Sequence, residues 1–373
     1  MIQARHIRHT LHFRFPAGTS RGVLHQKDSW FIVLRDRNNP GRTGIGECSL
    51  IPGLSPDPAD AVPAILEQVC SRLEQGLPVA AVPGRLEQVY AELEQGLAME
   101  EHDLKEYPAI RFALETALTD LETGGSRILF PGAFTAGHKG IPINGLIWMG
   151  DKHTMLQQVG EKIDTGFRVL KMKVGAIGFS EELEIIRYIR NTFSPADLEI
   201  RIDANGAWEK EEATGKLKIL SEFEIHSVEQ PVKAGQWEAM AEICTTSPIP
   251  VALDEELIGI SDPAQQHLLL EKTRPAYIIL KPSLVGGIAA STTWINIAEK
   301  LGIGWWVTSA LESNIGLNAI AQWTATLETK LPQGLGTGQL FTNNIPSPLE
   351  IREGQLFYNP DEKWDTSAIK TTS

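Results

Sequence analysis

Most of what this chain lacks is informative. Its 373 residues hold only three cysteines, Cys48, Cys70 and Cys244, odd in number and far apart. No CxxC pair is present, so neither a disulfide framework nor a thiolate zinc site is indicated. Basic residues are outnumbered, and the formal net charge of −13 argues against nucleic acid or an anionic membrane as a partner, since both need a basic face. No run approaches the ~18 apolar residues required to span a bilayer. The opening MIQARHIRHTLHF carries early charge and no apolar h-region, so a signal peptide is not expected. There is no GxGxxG between a strand and a helix, which weakens the dinucleotide reading, and no Gx₄GK[ST] loop or GxSxG elbow, which removes the NTPase and serine-hydrolase readings. What is left is a cytoplasmic enzyme that acts on a small molecule; the sequence does not set its oligomeric state.

What is present falls into parts. The length suits one large barrel with a smaller companion. Phe13–Arg14 and Trp30–Arg35 read as strands. Pro16–Gly22 (PAGTSRG) and Gly44–Ser55 read as loops. Helices are expected from near Asp57, from near Pro83, and over Ala109–Leu121, where Ile110, Ala113, Leu114, Ala117, Leu118 and Leu121 share a face. The LEQ repeated at Leu73, Leu86 and Leu93 suggests a duplication less well than helix ends closing on Gly76 and Gly96. His6, His9 and His12 recur every third residue, a period that suits neither face of a strand, and are read as packing residues rather than metal ligands.

From about Ile141 short apolar runs alternate with amphipathic segments: INGLIWM, RVLKMKV, LEIRID, HSVEQP, IPVALDEE, AYIILKP and GWWVTSA. This is βα alternation. Seven such units and a last short strand near Gly334–Leu340 favour a closed (β/α)7β TIM-like barrel over an open doubly wound sheet, although pattern alone does not separate the two. The expected division is an α+β capping domain over 1–125, the barrel over 126–340, and a tail over 341–373 that returns to the cap.

In such a barrel the catalytic groups stand at the carboxyl ends of the strands. Those ends present Lys171 and Lys173, then Asp203, Glu229, Asp254 and Lys281. The three acids are separated by about 25 residues each, roughly one βα unit. Three converging carboxylates need a countercharge, and an all-oxygen set suits a hard cation such as Mg²⁺. Acids at strand ends are often plain helix caps. That explanation is weak for the set, because Glu229 precedes Gln-Pro and Asp254 ends an apolar run. Lys171 and Lys173 lie two apart and so share a strand face. Burial and nearby positive charge are expected to lower a lysine's pKa and make it a base. Lysines flanking a metal-held carboxylate suit removal of an α-proton to an enediolate.

The ordered set Lys-x-Lys, Asp, Glu, Asp-Glu, Lys resembles the muconate-lactonizing-enzyme subgroup of the enolase superfamily, and the helix AIRFALETALTDL looks like the end of that superfamily's capping domain. The resemblance implies that Asp203, Glu229 and Asp254 ligate Mg²⁺ (with Mn²⁺ as a possible substitute). It implies that Lys173 is the base, that Lys281 faces the other side of the enediolate, and that Lys171 tunes its neighbour and contacts the substrate carboxylate. Arg201 and Asn205 take supporting roles. Within the subgroup the chain is most similar to the o-succinylbenzoate synthases. The capping loop PAGTSRGVLHQK, with Ser20 and Arg21, looks like theirs. GLGTG at Gly334–Gly338 lacks the Asp-x-Asp that dipeptide epimerases carry there. The loops around Ser283, Gly286 and Gly287 and around Ser309 and Glu312 offer small residues and amides that suit an anionic group. For Gly286-Gly287 a tight turn serves equally well, and Glu312 is read either as a group at the mouth or as a helix-start acid. The resemblance implies a lyase that dehydrates a succinylated hydroxycyclohexadiene carboxylate in menaquinone synthesis. An N-acylamino-acid or dipeptide racemase remains open, as does a non-catalytic binding protein on the same barrel.

Overall fold

The computed structural model describes residues 2–19, 22–75, 86–94, 104–175 and 177–369. Ser20, Arg21, Gly76, Pro83 and Gly96 lie outside them.

The chain begins with three antiparallel strands in the order β1 (Ile2–Thr19), β2 (Gly22–Asp36) and β3 (Asn39–Ser49). Two expected loops are therefore strand. Ala17 pairs with Leu24, Gly18 with Val23 and Thr19 with Gly22, so most of PAGTSRG is the far end of one long hairpin. The segment Gly44–Ser49 is the inner half of β3, paired with Ser29–Leu34. Its glycines answer a packing demand rather than a turn. A Cβ at Gly46 would lie 1.9 Å from the Ala113 carbonyl oxygen, and one at Gly44 2.0 Å from that of Ala117. Only a bare backbone lets the helix α3 (Pro108–Glu122) approach so closely.

Helices α1 (Val62–Glu74) and α2 (Leu86–Glu94) precede α3. Trp30, Ile32 and Leu34 pack towards α1 and α3. Phe31, Val33 and Ile45 pack on the opposite face with Ile315, Ile345 and Ile369. The sheet is buried on both sides, which is why WFIVL is a continuous apolar run without alternation. His6, His9 and His12 all lie on β1. His6 meets Glu67 at 3.2 Å and His9 Nε2 lies 3.2 Å from the Asn343 carbonyl oxygen.

The βα alternation is realised. After β4 (Ile141–Pro142) come β5 (Gly145–Ile147), α4 (Lys152–Asp164), β6 (Val169–Lys173), α5 (Phe179–Thr192), β7 (Glu199–Asp203) and α6 (Lys210–Leu220). Then follow β8 (Ser227–Glu229), α7 (Trp237–Thr246), β9 (Val251–Leu253), α8 (Pro263–Thr273) and β10 (Tyr277–Leu280). A one-turn helix α9 (Pro282–Val285), α10 (Ile288–Lys300), β11 (Gly304–Val307) and α11 (Asn314–Thr326) complete the series. Strands β5 to β11 form one parallel sheet in sequence order. Its two edges are joined through one short segment, Gln333–Gly334, by two bridges. Gln333 pairs with Ile143 and Gly334 with Thr308, both parallel, and the Gly334 amide donates to the Val307 carbonyl. The expected last strand at Gly334–Leu340 is thus shorter and earlier, and Thr337–Gln339 turns into a 3₁₀ helix. Residues facing outward from the strands, such as Leu170, Met172, Ile200, Ile202 and Val228, join the main core under the helices. Those between them point into the barrel.

The tail continues through β12 (Leu349–Arg352) and β13 (Gln355–Tyr358), which pairs with β4. It also touches the first sheet, through the Phe13–Phe341 bridge and a hydrogen bond from the Thr342 amide to the His12 carbonyl. Among the described residues no helix is long and apolar enough to cross a membrane.

Candidate active site

Strand register decides the centre of the barrel mouth. Lys173, Asp203 and Glu229 are Cα partners across β6, β7 and β8. Their side chains all point inward, because their neighbours Met172, Ile202 and Val228 are fully buried against the helices. Asp254 follows β9 directly and Lys281 follows β10.

The charges interlock. The Lys171 ammonium donates to Glu229 Oε1 at 2.6 Å and lies 2.9 Å from Asp203 Oδ2. The Lys281 ammonium is paired with Asp254 Oδ2. The Lys173 ammonium lies 3.4 Å from Asp203 Oδ2, donates to Asn205 Oδ1 at 2.8 Å, and stands 5.8 Å from the centre of the Trp148 ring. Asn205 in turn donates from Nδ2 to Glu255 Oε1 at 3.1 Å, so it holds Lys173 against the loop after β9.

Burial acts to raise the Asp203 pKa, but the charges of Lys171, Lys173 and Lys281 outweigh it and hold that carboxyl well below its usual range. Glu229 is pushed well above its usual range by burial and by the Asp203 charge. The lysines correct an expectation. Burial does act to lower Lys171 and Lys281, yet the surrounding carboxylates outweigh it, and both are raised above an ordinary lysine.

Among the described residues no three His, Cys, Asp or Glu side chains stand close enough to hold a metal ion as they lie, because ammonium groups sit between the carboxylates. The donor set itself fits a hard cation. Asp203, Glu229 and Asp254 are carboxylates at most 2 % exposed, one from each of three successive strand ends, and the group is short of positive charge at Glu229.

A cavity of about 770 Å³ opens above this centre and is lined by Lys171, Lys173, Asp203, Asn205, Lys281 and Ser309 among others. The remaining expected residues sit elsewhere. Arg201 lies one inward position deeper, donating to Glu199 Oε1 at 2.7 Å and to the Pro332 carbonyl at 2.9 Å, with its guanidinium 4.5 Å from the centre of the Trp306 ring. Ser283 is fully buried and donates to Glu312 Oε1, while Glu312 Oε2 accepts from the Ala310 amide at 2.7 Å. Glu312 is therefore a buried brace of its own loop, and burial raises its pKa. Gly286 and Gly287 form a turn, with φ of +103° and +105°. The amides that follow it are already taken: Ile288 N–H and Ala289 N–H donate to Glu115 on α3 at 2.6 and 3.0 Å.

Several working residues escaped the sequence reading. Gln230 (φ 40°) accepts from the amides of Asp254 and Glu256 through Oε1 and donates to Glu256 Oε2 at 2.9 Å, which ties the Glu229 strand end to that of Asp254. Lys27 of β2, fully buried, donates to the Leu311 carbonyl at 2.9 Å and to Ser49. Glu47 of β3 accepts from the Ser313 and Gly316 amides at the start of α11. An acid between Ile45 and Cys48 was the available signal for Glu47; Lys27, in the polar run HQKDS, gave none.

Residues 154–361 match the model of the enolase C-terminal domain-like family. The chain is 47 % identical to an o-succinylbenzoate synthase from Desulfotalea psychrophila, over 94 % of this chain and 97 % of that protein. The crystal structure of MenC from the same organism superposes with a TM-score of 0.83 at 42 % identity, covering 95 % of this chain and 99 % of that one. A dipeptide epimerase from Enterococcus faecalis complexed with Mg and L-Leu-L-Tyr shares the fold, with a TM-score of 0.79 at 20 % identity over 96 % of each chain. By the family match over more than half its length and by a relative nearly half identical along almost all of it, the chain belongs to the enolase C-terminal domain-like family.

Proposed function

We propose that this chain is an o-succinylbenzoate synthase, dehydrating 2-succinyl-6-hydroxy-2,4-cyclohexadiene-1-carboxylate to o-succinylbenzoate as a cytoplasmic step of menaquinone synthesis. The reading rests above all on three carboxylates from consecutive strand ends interlocked with three lysines, of which Asp203 and all three lysines line one cavity, joined to the 47 % identity with a synthase along the chain. In it, 1–125 is the cap, 126–340 the barrel and 341–373 a tail returning to the cap.

Asp203, Glu229 and Asp254 would hold Mg²⁺, or Mn²⁺ in its place. Bound there, the ion supplies Lewis-acid stabilisation of the negative charge that develops on the substrate's ring carboxylate. Lys173 takes the proton from the carbon bearing that carboxylate. Its ammonium faces the cavity and is aimed by Asn205. The electron pair left behind expels the ring hydroxyl, the ring becomes aromatic, and Lys173 returns its proton to the departing hydroxide, so the products are o-succinylbenzoate and water. Lys281, four strands away on the same cavity wall, contributes positive charge to the opposite side of the enediolate. Lys171 lies between Asp203 and Glu229, and its charge favours the ionised form of each.

The test is a spectrophotometric assay of the cyclohexadiene precursor with Mg²⁺ and with EDTA. Rapid conversion that EDTA stops is expected; folded protein with Mg²⁺ and no conversion sinks the synthase reading. One feature favours a second activity. Lys173 and Lys281 both face the cavity, as a two-base racemase requires, and α-proton exchange in D₂O on N-acylamino acids measures it.

A further inference from the structure

The reaction's substrate carries two carboxylates, one on the ring and one at the end of the succinyl arm. The lysines and acids at the cavity floor account for the first. In the loops expected to receive the second, several of the amides are already taken. The amides of Ile288 and Ala289 are spent on Glu115, that of Ala310 on Glu312, and that of Ser313 on Glu47.

The wall of the same cavity on the cap side is built differently. It is formed by the far part of the β1–β2 hairpin, with Arg14, Phe15, Pro16, Gly18 and Val23 lining the space. The hairpin is anchored on both sides of the mouth. Gly18 bridges to Met149 after β5, the Arg14 amide donates to the Leu340 carbonyl at 2.8 Å, and Leu24 and Leu311, the latter after β11, pack against the same apolar cluster. Phe15 and Val23 are 41 % and 56 % exposed, although both are large and apolar. Phe15 stands edge-on to Trp148, 6.1 Å between ring centres, and Trp148 is the ring beside Lys173. Arg14 is exposed, and its guanidinium has no carboxylate within ion-pair reach among the described residues.

Among the described residues, the other cations lining this cavity are engaged or misplaced. Lys171, Lys173 and Lys281 are bound to the acids and to Asn205. Lys162 lies over the Phe167 ring at 5.1 Å, and its stem packs on Gly145 at the start of β5, the end of the strand away from the mouth. Exposed apolar side chains beside an unpaired guanidinium suit a ligand whose apolar body ends in an anion.

We propose that Arg14 binds the distal carboxylate of the substrate, across the cavity from the lysines, while Phe15 and Val23 cover the apolar part between the two charges. This rests on the synthase reading and names the group that reads the succinyl arm. A guanidinium suits this task because its planar fork matches a carboxylate with two parallel hydrogen bonds, which an ammonium does not.

The experiment compares the unaltered protein, Arg14→Gln and Arg14→Lys, all with Mg²⁺, on the precursor and on its side-chain methyl ester, whose arm is neutral. For Arg14→Gln the KM for the dicarboxylate is expected to rise roughly tenfold, as for loss of one charge-assisted pair, with kcat changed less than about threefold because the contact is remote from the reacting carbon. On the ester the two proteins have equal KM. Arg14→Lys recovers part of the loss, and added salt raises the KM of the unaltered protein more than that of Arg14→Gln. An unchanged KM for the dicarboxylate, or an equal penalty on the ester, overturns the assignment. Failure of the unaltered protein to convert the precursor sinks the synthase reading and this inference with it; conversion that ignores Arg14→Gln sinks this inference alone.

Discussion

Lys173 and Asp203 are register partners on β6 and β7, yet the Lys173 ammonium makes its shorter contact not to Asp203, at 3.4 Å, but to the amide oxygen of Asn205, at 2.8 Å. The strand pairing brings Lys173 to the acids proposed to hold the metal, and a left-handed residue (Asn205, φ 45°) turns a neutral acceptor towards it. The lysine is held by a long ion-pair contact and by a shorter bond to a neutral acceptor.

Replacing that amine tests its proposed role as the base. Lys173→Ala is expected to lower turnover by at least about 10²–10⁴-fold, the usual contribution of a general base, while circular dichroism and the Tm stay close to those of the unaltered protein. Substantial residual turnover in a folded Lys173→Ala protein would rule this lysine out as the base.

Glu229→Gln keeps the shape of the side chain and removes its charge. Activity and Mg²⁺ binding by calorimetry should fall together, activity by at least about 100-fold, the upper end of what mere outer partners of a metal ligand cost. A variant that binds Mg²⁺ and turns over normally is incompatible with three carboxylate ligands.

The turn after α9 separates two kinds of glycine. At Gly287 (φ +105°) a Cβ would lie 2.2 Å from Glu115 Oε2, the carboxylate that receives the first amides of α10; at Gly286 (φ +103°) its nearest neighbour would be Ala290 Cβ at 3.3 Å. Gly286→Ala should cost about 1–2 kcal/mol of backbone strain. Gly287→Ala adds displacement of a buried carboxylate and should cost about 3 kcal/mol or more. Urea unfolding measures both, and equal midpoints would show that the α3–α10 tie is unimportant.

Asp57 accepts from the Ala109 amide at 3.1 Å and the Ile110 amide at 3.3 Å, at the start of α3, and burial pushes its pKa up to about 7. Cys48 and Tyr107 lie near it; burial raises both, and its charge adds to that. Because the folded-state pKa is raised above the unfolded value, this carboxyl's contribution to stability is full below about pH 4 and is lost as the pH rises through about 7. Asp57→Asn keeps an acceptor for the helix start and cannot ionise. Chemical denaturation at pH 4, 5.5 and 7.5 should show the unaltered protein losing, relative to Asp57→Asn, on the order of a few kcal/mol over that span. Parallel pH profiles would place the Asp57 pKa at its ordinary value.

The barrel was legible because its signals are local. Each strand is a short apolar run, and a charged residue ending such a run has little reason to be there unless it faces the mouth. Asp203, Glu229, Asp254 and Lys281 stand out for that reason, and Lys171 and Lys173 share a face by the two-residue period of a strand alone. The cap was harder. Pro16, Gly18 and Gly22 carry turn chemistry, yet they lie in a hairpin held by Met149, Leu311 and Leu340 from three other parts of the chain. The glycines of β3 look like a loop because the helix that demands them is some seventy residues away.

The amino-acid order by itself determined the repeating βα units, their inward acids and lysines, and hence the chemistry to expect, since periodicity and residue type act within a few positions. Tertiary structure alone decided the rest. It raised the pKa of Lys171 and Lys281, because the carboxylates that hold their protons arrive from other strands. It spent the Ile288 and Ala289 amides after Gly286-Gly287 on Glu115, because helix capping by α3 satisfies donors that a ligand would otherwise meet. It set Arg14 on the cavity wall, because the hairpin that carries it is docked across the mouth by contacts no local pattern encodes.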